Sequence, residues 1–344
     1  MVLCQGSRHQ FADALAIARA AAHESCKYDS EAQRRTIRET ASDALGGKEP
    51  YKWQVDVCEA MLLGVDCIVI AGTGAGKTMP FVMPLLVDET KQKMVLVISP
   101  LNELEQDQAK RFRDMGVTAT AINRDVYTNA LHKEIQDCKY CVLLMGPEMA
   151  LEHPHFSKLL RSPDFAAGVA AIIIDEAHCI MEWGADFRPK FAELSRLRAL
   201  VPTGVPFLAA SATLPPLALA DIQRKLAFHS HSTYLVNLGN DRANITPIVV
   251  QMSSANNLSA LDFVVHEALN GGNLHKTVIF FNDCDTSYRA YSRLKNLLPE
   301  NLKERVGHLH ALRHKNYKAK TMHRFREGGI DILCATEATG MVCS

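Results

Sequence analysis

Two clusters of residues in this chain have the types and spacing for phosphate chemistry. The first is Ala71-Gly72-Thr73-Gly74-Ala75-Gly76-Lys77-Thr78, which follows the apolar run Cys67-Ile68-Val69-Ile70. Glycines reach backbone angles that other residues resist, and they leave room where a phosphate must approach. Successive N–H groups, with the positive end of a following helix, then cradle the anion. In this pattern Lys77 reaches the β- and γ-phosphates and the Thr78 hydroxyl ligates magnesium. Ala71 stands where the usual pattern has its first glycine. The second cluster is Ile172-Ile173-Ile174-Asp175-Glu176-Ala177-His178, a carboxylate pair closing another apolar run. A nucleoside triphosphatase needs one carboxylate to hold magnesium, which suits Asp175. It needs another to orient and deprotonate the attacking water, which suits Glu176. Alone, the pair reads equally well as a surface turn; the glycine loop favours the chemical reading.

Such residues need strands that end at one edge of a sheet. Apolar runs at Cys67–Ile70, Met94–Ile98, Val117–Ala121, Cys141–Met145, Ala171–Ile174 and Pro206–Ala210 predict strands. Helical stretches at 103–114, 126–137, 148–161 and 190–200 separate most of them. This alternation predicts a parallel sheet covered on both faces, with ligands at the carboxyl ends of the strands. Two helices are expected earlier, at 12–22 and from Ser30 to Leu45, the second stopped by Gly46-Gly47. A third opens at Tyr51-Lys52-Trp53-Gln54. After Thr78 a short helix is expected, because Pro84 would kink or end it.

Composition turns polar near 237–246, and a domain boundary is placed there. The organisation read is an N-terminal helical extension over 1–50, a first domain over 51–240 and a second over 241–344. The second domain is expected to hold strands at Ile248–Met252, Val278–Phe281 and Ile330–Ala335. Helices are expected at Leu258–Leu269 and around Tyr288, Tyr291, Leu294 and Leu298.

The chain has 344 residues, 47% of them hydrophobic and 22% charged, as in a globular protein with room for real cores. Lys plus Arg equals Asp plus Glu at 38 each, so any nucleic-acid site must be a local patch. No apolar run has the length of a membrane span, and the first residues lack a signal-peptide pattern. Ten scattered cysteines fit a reducing, intracellular setting, and Cys138-Lys-Tyr-Cys141 has no second pair at zinc spacing.

The loop and Asp175-Glu-Ala-His178 together resemble the superfamily-two helicases. The run Asp175-Glu-Ala-His-Cys-Ile-Met-Glu-Trp183-Gly-Ala-Asp-Phe187-Arg188-Pro189 resembles the RecQ family of DNA helicases, with Met181-Glu182 and Ala185 departing from the family pattern. The resemblance implies an α/β fold of two RecA-like phosphate-loop domains with parallel sheets, the second incomplete. It implies ATP and magnesium as cofactors, single-stranded DNA and duplex junctions as partners, and a 3′–5′ motor in repair and recombination, nuclear in a eukaryote. By resemblance Lys77, Asp175 and Glu176 are catalytic. Gln54 meets adenine, preceded by the aromatic–basic pair Tyr51 and Lys52, and Gly72 to Thr78 hold the phosphates. Trp183, Phe187 and Arg188 become DNA contacts, since aromatic faces and a guanidinium plane stack bases; Trp183 alone reads as a packing aromatic. Ser99-Pro-Leu-Asn-Glu-Leu-Glu-Gln-Asp-Gln108 and Gly146-Pro147-Glu148 resemble DNA-facing segments. The bland reading of the former is a helix start, capped by Ser99. Ser211-Ala212-Thr213 resembles the segment coupling hydrolysis to unwinding, or is an ordinary turn. His310-Ala311 and Thr336-Glu-Ala-Thr-Gly340-Met341 resemble later motifs. The basic stretch Arg313 to Arg326 is a solvated face or a DNA-backbone contact. The resemblance runs from about residue 50 to Met341. The family's arginine-finger motif is missing from these residues. The expectation is therefore a truncated motor that binds ATP and hydrolyses it slowly. The rivals are a non-catalytic remnant and an RNA helicase.

Overall fold

A computed structural model describes residues 5–100, 102–182, 189–239, 244–254, 256–310 and 312–336. The chain divides into two compact units, Met1–Asp241 and Arg242–Ser344.

The strands of the first unit are β1 (Asp66–Ile70), β2 (Met94–Ile98), β3 (Ala119–Ile122), β4 (Val142–Met145), β5 (Val169–Ile174), β6 (Phe207–Ser211) and β7 (Thr233–Asn237). They form one parallel sheet in the order β3-β4-β2-β5-β6-β1-β7. The central strands are apolar at nearly every position because both faces are covered. Alternate residues serve opposite cores: Ile68, Leu96 and Ile172 face one, Val69, Val97 and Ile173 the other. The order sets β5, β6 and β1 side by side, so the segments after them share one edge.

The helices of this unit are α1 (Gln5–Cys26), α2 (Ser30–Ala44), α3 (Lys52–Leu62), α4 (Met79–Leu86), α5 (Asn102–Asp114), α6 (Asn129–Gln136), α7 (Pro147–Glu152), α8 (Pro154–Leu160), α9 (Pro163–Ala167), α10 (Cys179–Glu182) and α11 (Pro216–Lys225). Asp29 caps α2 by accepting from the Glu31 and Ala32 N–H groups, and Gly46 and Gly47 end it at φ +66° and +89°. α1 and α2 bury Ala14, Leu15, Ile37 and Ala41 in the same core as α3.

Several expectations change. The helix expected over 148–161 is two, α7 and α8, because Pro154 drives His153 to an extended ψ of 116°. The stretch expected as a helix over 190–200 is a 3-10 helix, Pro189–Leu200, with Phe191, Leu194 and Leu197 buried. That spacing of three matches 3-10 geometry and not the 3.6 period of an α-helix. β7 falls in a stretch not assigned as a strand: only Thr233 and Val236 are buried, so it lacks the continuous apolar run of its neighbours. α4 continues two residues past Pro84.

The second unit holds β8 (Thr277–Phe281), β9 (Val306–Leu309) and β10 (Ile332–Thr336), parallel in the order β8-β10-β9. Its helices are α12 (Phe263–Leu269), α13 (Cys284–Leu297) and α14 (Lys315–Arg326). The helix expected from Leu258 opens instead as a 3-10 turn, Leu258–Leu261, before α12. The strand expected at Ile248–Met252 is absent: Ile248, Val249 and Val250 are 80%, 97% and 69% exposed. An apolar run becomes a strand only when a neighbour takes its backbone hydrogen bonds, and no described strand pairs with this one. Among the described residues no helix is long and apolar enough to cross a membrane.

At the end of the first sheet opposite the glycine loop, Asp66 opens β1 and binds Arg198 through both oxygens, at 2.7 and 3.3 Å. It also accepts the Phe207 N–H at 2.8 Å, while the Arg198 guanidinium lies 4.1 Å from the Phe207 ring centroid. This clamp ties β1 to β6 below the site. Asp66→Ala is expected to lower stability by about 2–4 kcal/mol, because it strands a half-buried guanidinium and a backbone N–H. Urea denaturation measures this, and a loss below ~0.5 kcal/mol, the range of ordinary surface changes, would show the clamp to be idle.

Candidate nucleotide-binding site

The glycine loop joins β1 to α4. Gly74 and Gly76 sit at φ +83° and +87°, where a side chain is strained. Gly72 and Gly74 border open space, whereas a Cβ on Gly76 would come within 2.6 Å of Gln54 Nε2. Lys77 Nζ donates to the Ala71 carbonyl at 2.8 Å, folding the ammonium over the loop. Thr78 stands at the start of α4 and its hydroxyl makes no capping bond. Ala71 is fully buried, and its N–H donates to the Ser211 carbonyl at 3.1 Å, continuing the β1–β6 ladder into the loop.

Gln54 is 4% exposed at the first turn of α3. Its Oε1 accepts the Tyr51 N–H at 2.8 Å and its Nε2 donates to the Gly76 carbonyl at 2.9 Å. A carboxamide has two donors and two acceptor lone pairs, so one of each is left. That remainder matches the N6 donor and N7 acceptor of adenine. Tyr51 and Lys52 are exposed beside it.

Asp175 and Glu176 follow β5. The Asp175 N–H donates to the Ile98 carbonyl at 2.9 Å. Its Oδ1 accepts the Glu176 N–H at 2.9 Å and its Oδ2 accepts Gln108 Nε2 at 2.7 Å. Burial, then the charge of Glu176, pushes the Asp175 carboxyl up to about 6, against the opposing pull of Gln108, the Glu176 N–H and Lys77. Burial also works against ionised Glu176, but His178 and Lys77 together hold its carboxyl below the usual range. Lys77 therefore lies within electrostatic reach of both carboxylates. Glu176 adopts φ +47°, a left-handed angle that costs a non-glycine residue roughly 1 kcal/mol. A buried, charge-crowded carboxylate and an uncommitted hydroxyl at the loop are hard oxygen donors, so Thr78 and Asp175 fit magnesium. Among the described residues no three His, Cys, Asp or Glu side chains cluster as a metal site of their own.

His178 joins this pair to the end of β6. Its Nδ1 lies 2.9 Å from Ser211 Oγ and 3.2 Å from Glu176 Oε2. Hydrogen bonds to Cys179 and then Glu176 push its pKa up. Ser211 Oγ donates onward to the Thr213 carbonyl at 3.0 Å. Gln54, the loop, Asp175, Glu176, Ser211 and Thr213 thus form one connected set in the first unit.

The other expected residues fall elsewhere. His310 and Thr336 follow or end β9 and β10 in the second unit. The His310 ring is 5.0 Å from that of His308, and its pKa is lowered by burial and then by Arg313 and Lys318. Trp183, Phe187 and Arg188 lie outside the described residues. Ser99 caps no helix: α5 starts at Asn102, and Ser99 Oγ is buried without a hydrogen-bond partner among the described residues. Gly146 and Pro147 start α7 at the end of β4. Sequence reasoning quoted Gln108 without giving it a role in the nucleotide site; the structure gives it the Asp175 carboxylate.

Residues 51–222 match the DEAD/DEAH box helicase family. Among curated relatives, the ATP-dependent DNA helicase RecQ of Pasteurella multocida is 32% identical over 222 residues, 62% of this chain and 33% of the relative. The probable ATP-dependent DNA helicase RecS of Bacillus subtilis is 29% identical over 308 residues, 89% of this chain and 58% of the relative. A putative ATP-dependent RNA helicase of Acanthamoeba polyphaga mimivirus is 28% identical over 289 residues, 84% of this chain and 49% of the relative. The chain therefore spans only part of the curated relatives it matches. The helicase MrfA bound to DNA and AMPPNP superposes with a TM-score of 0.66 at 18% identity, covering 88% of this chain and 44% of that one. Saccharomyces cerevisiae Dbp5 bound to RNA and ADP BeF3 gives 0.59 at 18% identity, covering 87% and 73%. At these identities the likeness carries the fold: two RecA-like helicase sheets.

The Asp175 carboxyl generates a stability prediction. Its folded pKa is raised from 3.8 to about 6, so its ionisation costs stability. Protein without nucleotide or magnesium should lose that increment as pH rises from about 4 to about 6. Asp175→Asn, which cannot ionise, is expected to be about 1–3 kcal/mol more stable than the parent at pH 7 and no more stable at pH 4. Thermal unfolding at both pH values checks it; equal differences at the two pH values would contradict it.

Proposed function

The chain belongs to the DEAD/DEAH box helicase family, and from that premise we propose that it is an ATP-dependent DNA helicase motor of RecQ type. Residues 51–240 are the ATP-binding domain, 241–344 belong to the second motor domain and 1–50 form a helical extension. The observation that carries the reading is the convergence of glycine loop, carboxylate pair and Ser211 at the ends of three adjacent strands, joined by the Ala71–Ser211 and His178–Ser211 hydrogen bonds.

In this reading the spare donor and acceptor of Gln54 take the adenine edge. Lys77 leaves the Ala71 carbonyl for the β- and γ-phosphates, exchanging a neutral acceptor for an anionic one. Thr78 and Asp175 hold magnesium, which supplies charge neutralisation at the phosphates. Gln108 holds Oδ2 of Asp175 and so orients the carboxylate. Glu176, kept ionised by His178 and Lys77, takes the proton of the attacking water. His178 links that base to Ser211 and Thr213, which suits a relay between nucleotide and nucleic-acid states. DNA, single-stranded or at duplex junctions, is the proposed partner, contacted by Trp183, Phe187, Arg188, His310 and Thr336. The motor runs 3′ to 5′ and serves repair and recombination. DNA is supported by the named activity of the RecQ and RecS relatives. A second reading, an RNA helicase, has the mimiviral relative's name in its favour.

Glu176→Gln is expected to keep ATP binding and to lower the nucleic-acid-stimulated hydrolysis rate about 10²–10⁴-fold, the usual worth of a general base. Phosphate release in the presence of single-stranded DNA or of RNA of the same length separates the two readings. Greater stimulation by RNA would overturn the DNA assignment, and unaltered hydrolysis by Glu176→Gln would overturn the base.

A further inference from the structure

Glu59 is a carboxylate with no exposed surface, on the same helix as Gln54. It is held from three places in the N-terminal segment. Arg19 of α1 donates Nε to Oε1 at 3.0 Å and Nη2 to Oε2. In the turn before α2 the Tyr28 hydroxyl donates at 3.2 Å, and Ser30, the first residue of α2, donates its Oγ. Arg34 of α2, 6% exposed, donates Nη1 to Oε2 at 2.7 Å and also to Asp56 Oδ1. Burial pushes the Glu59 carboxyl up, yet hydrogen bonds from Arg19, Ser30 and Arg34 outweigh it and hold the pKa below the ordinary range.

Burying Arg34 and Glu59, with Arg19 and Asp56 partly buried beside them, costs several kcal/mol per buried ion before pairing, and apolar residues of similar volume often stabilise as well or better. What the cluster adds is direction. The apolar face of α3, with Val57, Ala60 and Met61, tolerates small slides and rotations against its core. Charge-assisted hydrogen bonds at 2.7–3.0 Å do not. Asp56 and Glu59 lie three residues apart, on one face of α3. A rotation of α3 would displace Gln54 from Gly76, where a 2.9 Å hydrogen bond sets its distance to the phosphate loop.

We propose that Glu59 is a positioning residue for the nucleotide site: through it α1 and α2 fix the rotation of α3, so that the carboxamide of Gln54 meets a purine edge in the orientation that selects adenine. Residues 1–50 then act in nucleotide selection without touching the nucleotide. This rests on the reading of Gln54 as the adenine contact.

The test uses the full chain, magnesium and the fluorescent ribose-labelled analogues mant-ATP and mant-GTP, with the ratio of their dissociation constants as readout. Gln54→Ala should abolish the preference for the adenine analogue. Glu59→Gln should reduce it about fivefold to tenfold, the worth of roughly one misplaced hydrogen bond. A helix merely made less stable lowers the melting temperature but leaves the ratio unchanged in the folded protein. If Glu59→Gln does not fold, the double variant Tyr28→Phe, Ser30→Ala removes two neutral donors, keeps both ion pairs and should shift the ratio in the same direction. An unchanged ratio in Gln54→Ala overturns the adenine reading itself. A ratio lost in Gln54→Ala but kept in the folded Glu59 or Tyr28/Ser30 variant overturns the positioning role alone.

Discussion

The site depends on the end of β6, and within it on Ser211. Its carbonyl takes the N–H of Ala71, which fixes where the glycine loop departs from β1. Its hydroxyl meets His178, which fixes how the carboxylate pair departs from β5. One residue with no exposed surface thereby sets the spacing between the glycine loop that carries Lys77 and the Asp175–Glu176 pair. The strand order makes this possible: β6 lies between β5 and β1, so both neighbours reach it through ordinary ladder geometry. A parallel sheet covered on both faces is rigid at this edge, which lets the loop itself consist of small residues with little packing of their own.

The site also carries costs that the rest of the unit offsets. Asp175 is buried beside Glu176 with its pKa raised, and Glu176 is held in a left-handed backbone. Each costs the folded protein free energy. The seven-stranded sheet and its two continuous cores outweigh them. The Asp66–Arg198 clamp does similar work at the opposite end of β1, so that strand is tied at both ends to β6.

What could be read in the sequence follows from what is local. The glycine loop announced itself because Gly74 and Gly76 need angles that only glycine takes readily. The apolar strands were visible because residues buried on both faces leave continuous runs. Where burial was partial the signal failed: β7 shows two buried positions in five and went unread. The converse error was Ile248–Met252, whose apolar character promised a strand that no described neighbour completes. The 3-10 helix at Pro189–Leu200 hid behind an ordinary helical composition, although its period of three was there to count. Long-range polar partners were invisible. Glu59 reads as a surface residue of a helix until Arg19 and Arg34 fold against it, and nothing near Gln108 points to Asp175.

The segment around Val249 has a consequence for the chain in solution. Three consecutive β-branched residues, almost bare of cover, sit in an uncharged stretch outside any helix or strand. Such a stretch is the natural place for copies of a chain to zip together as intermolecular sheet. An aggregation-prone stretch thus sits in a handful of residues far along the sequence from the glycine loop and the carboxylate pair. A single lysine placed among them would interrupt the uncharged run on which such pairing depends.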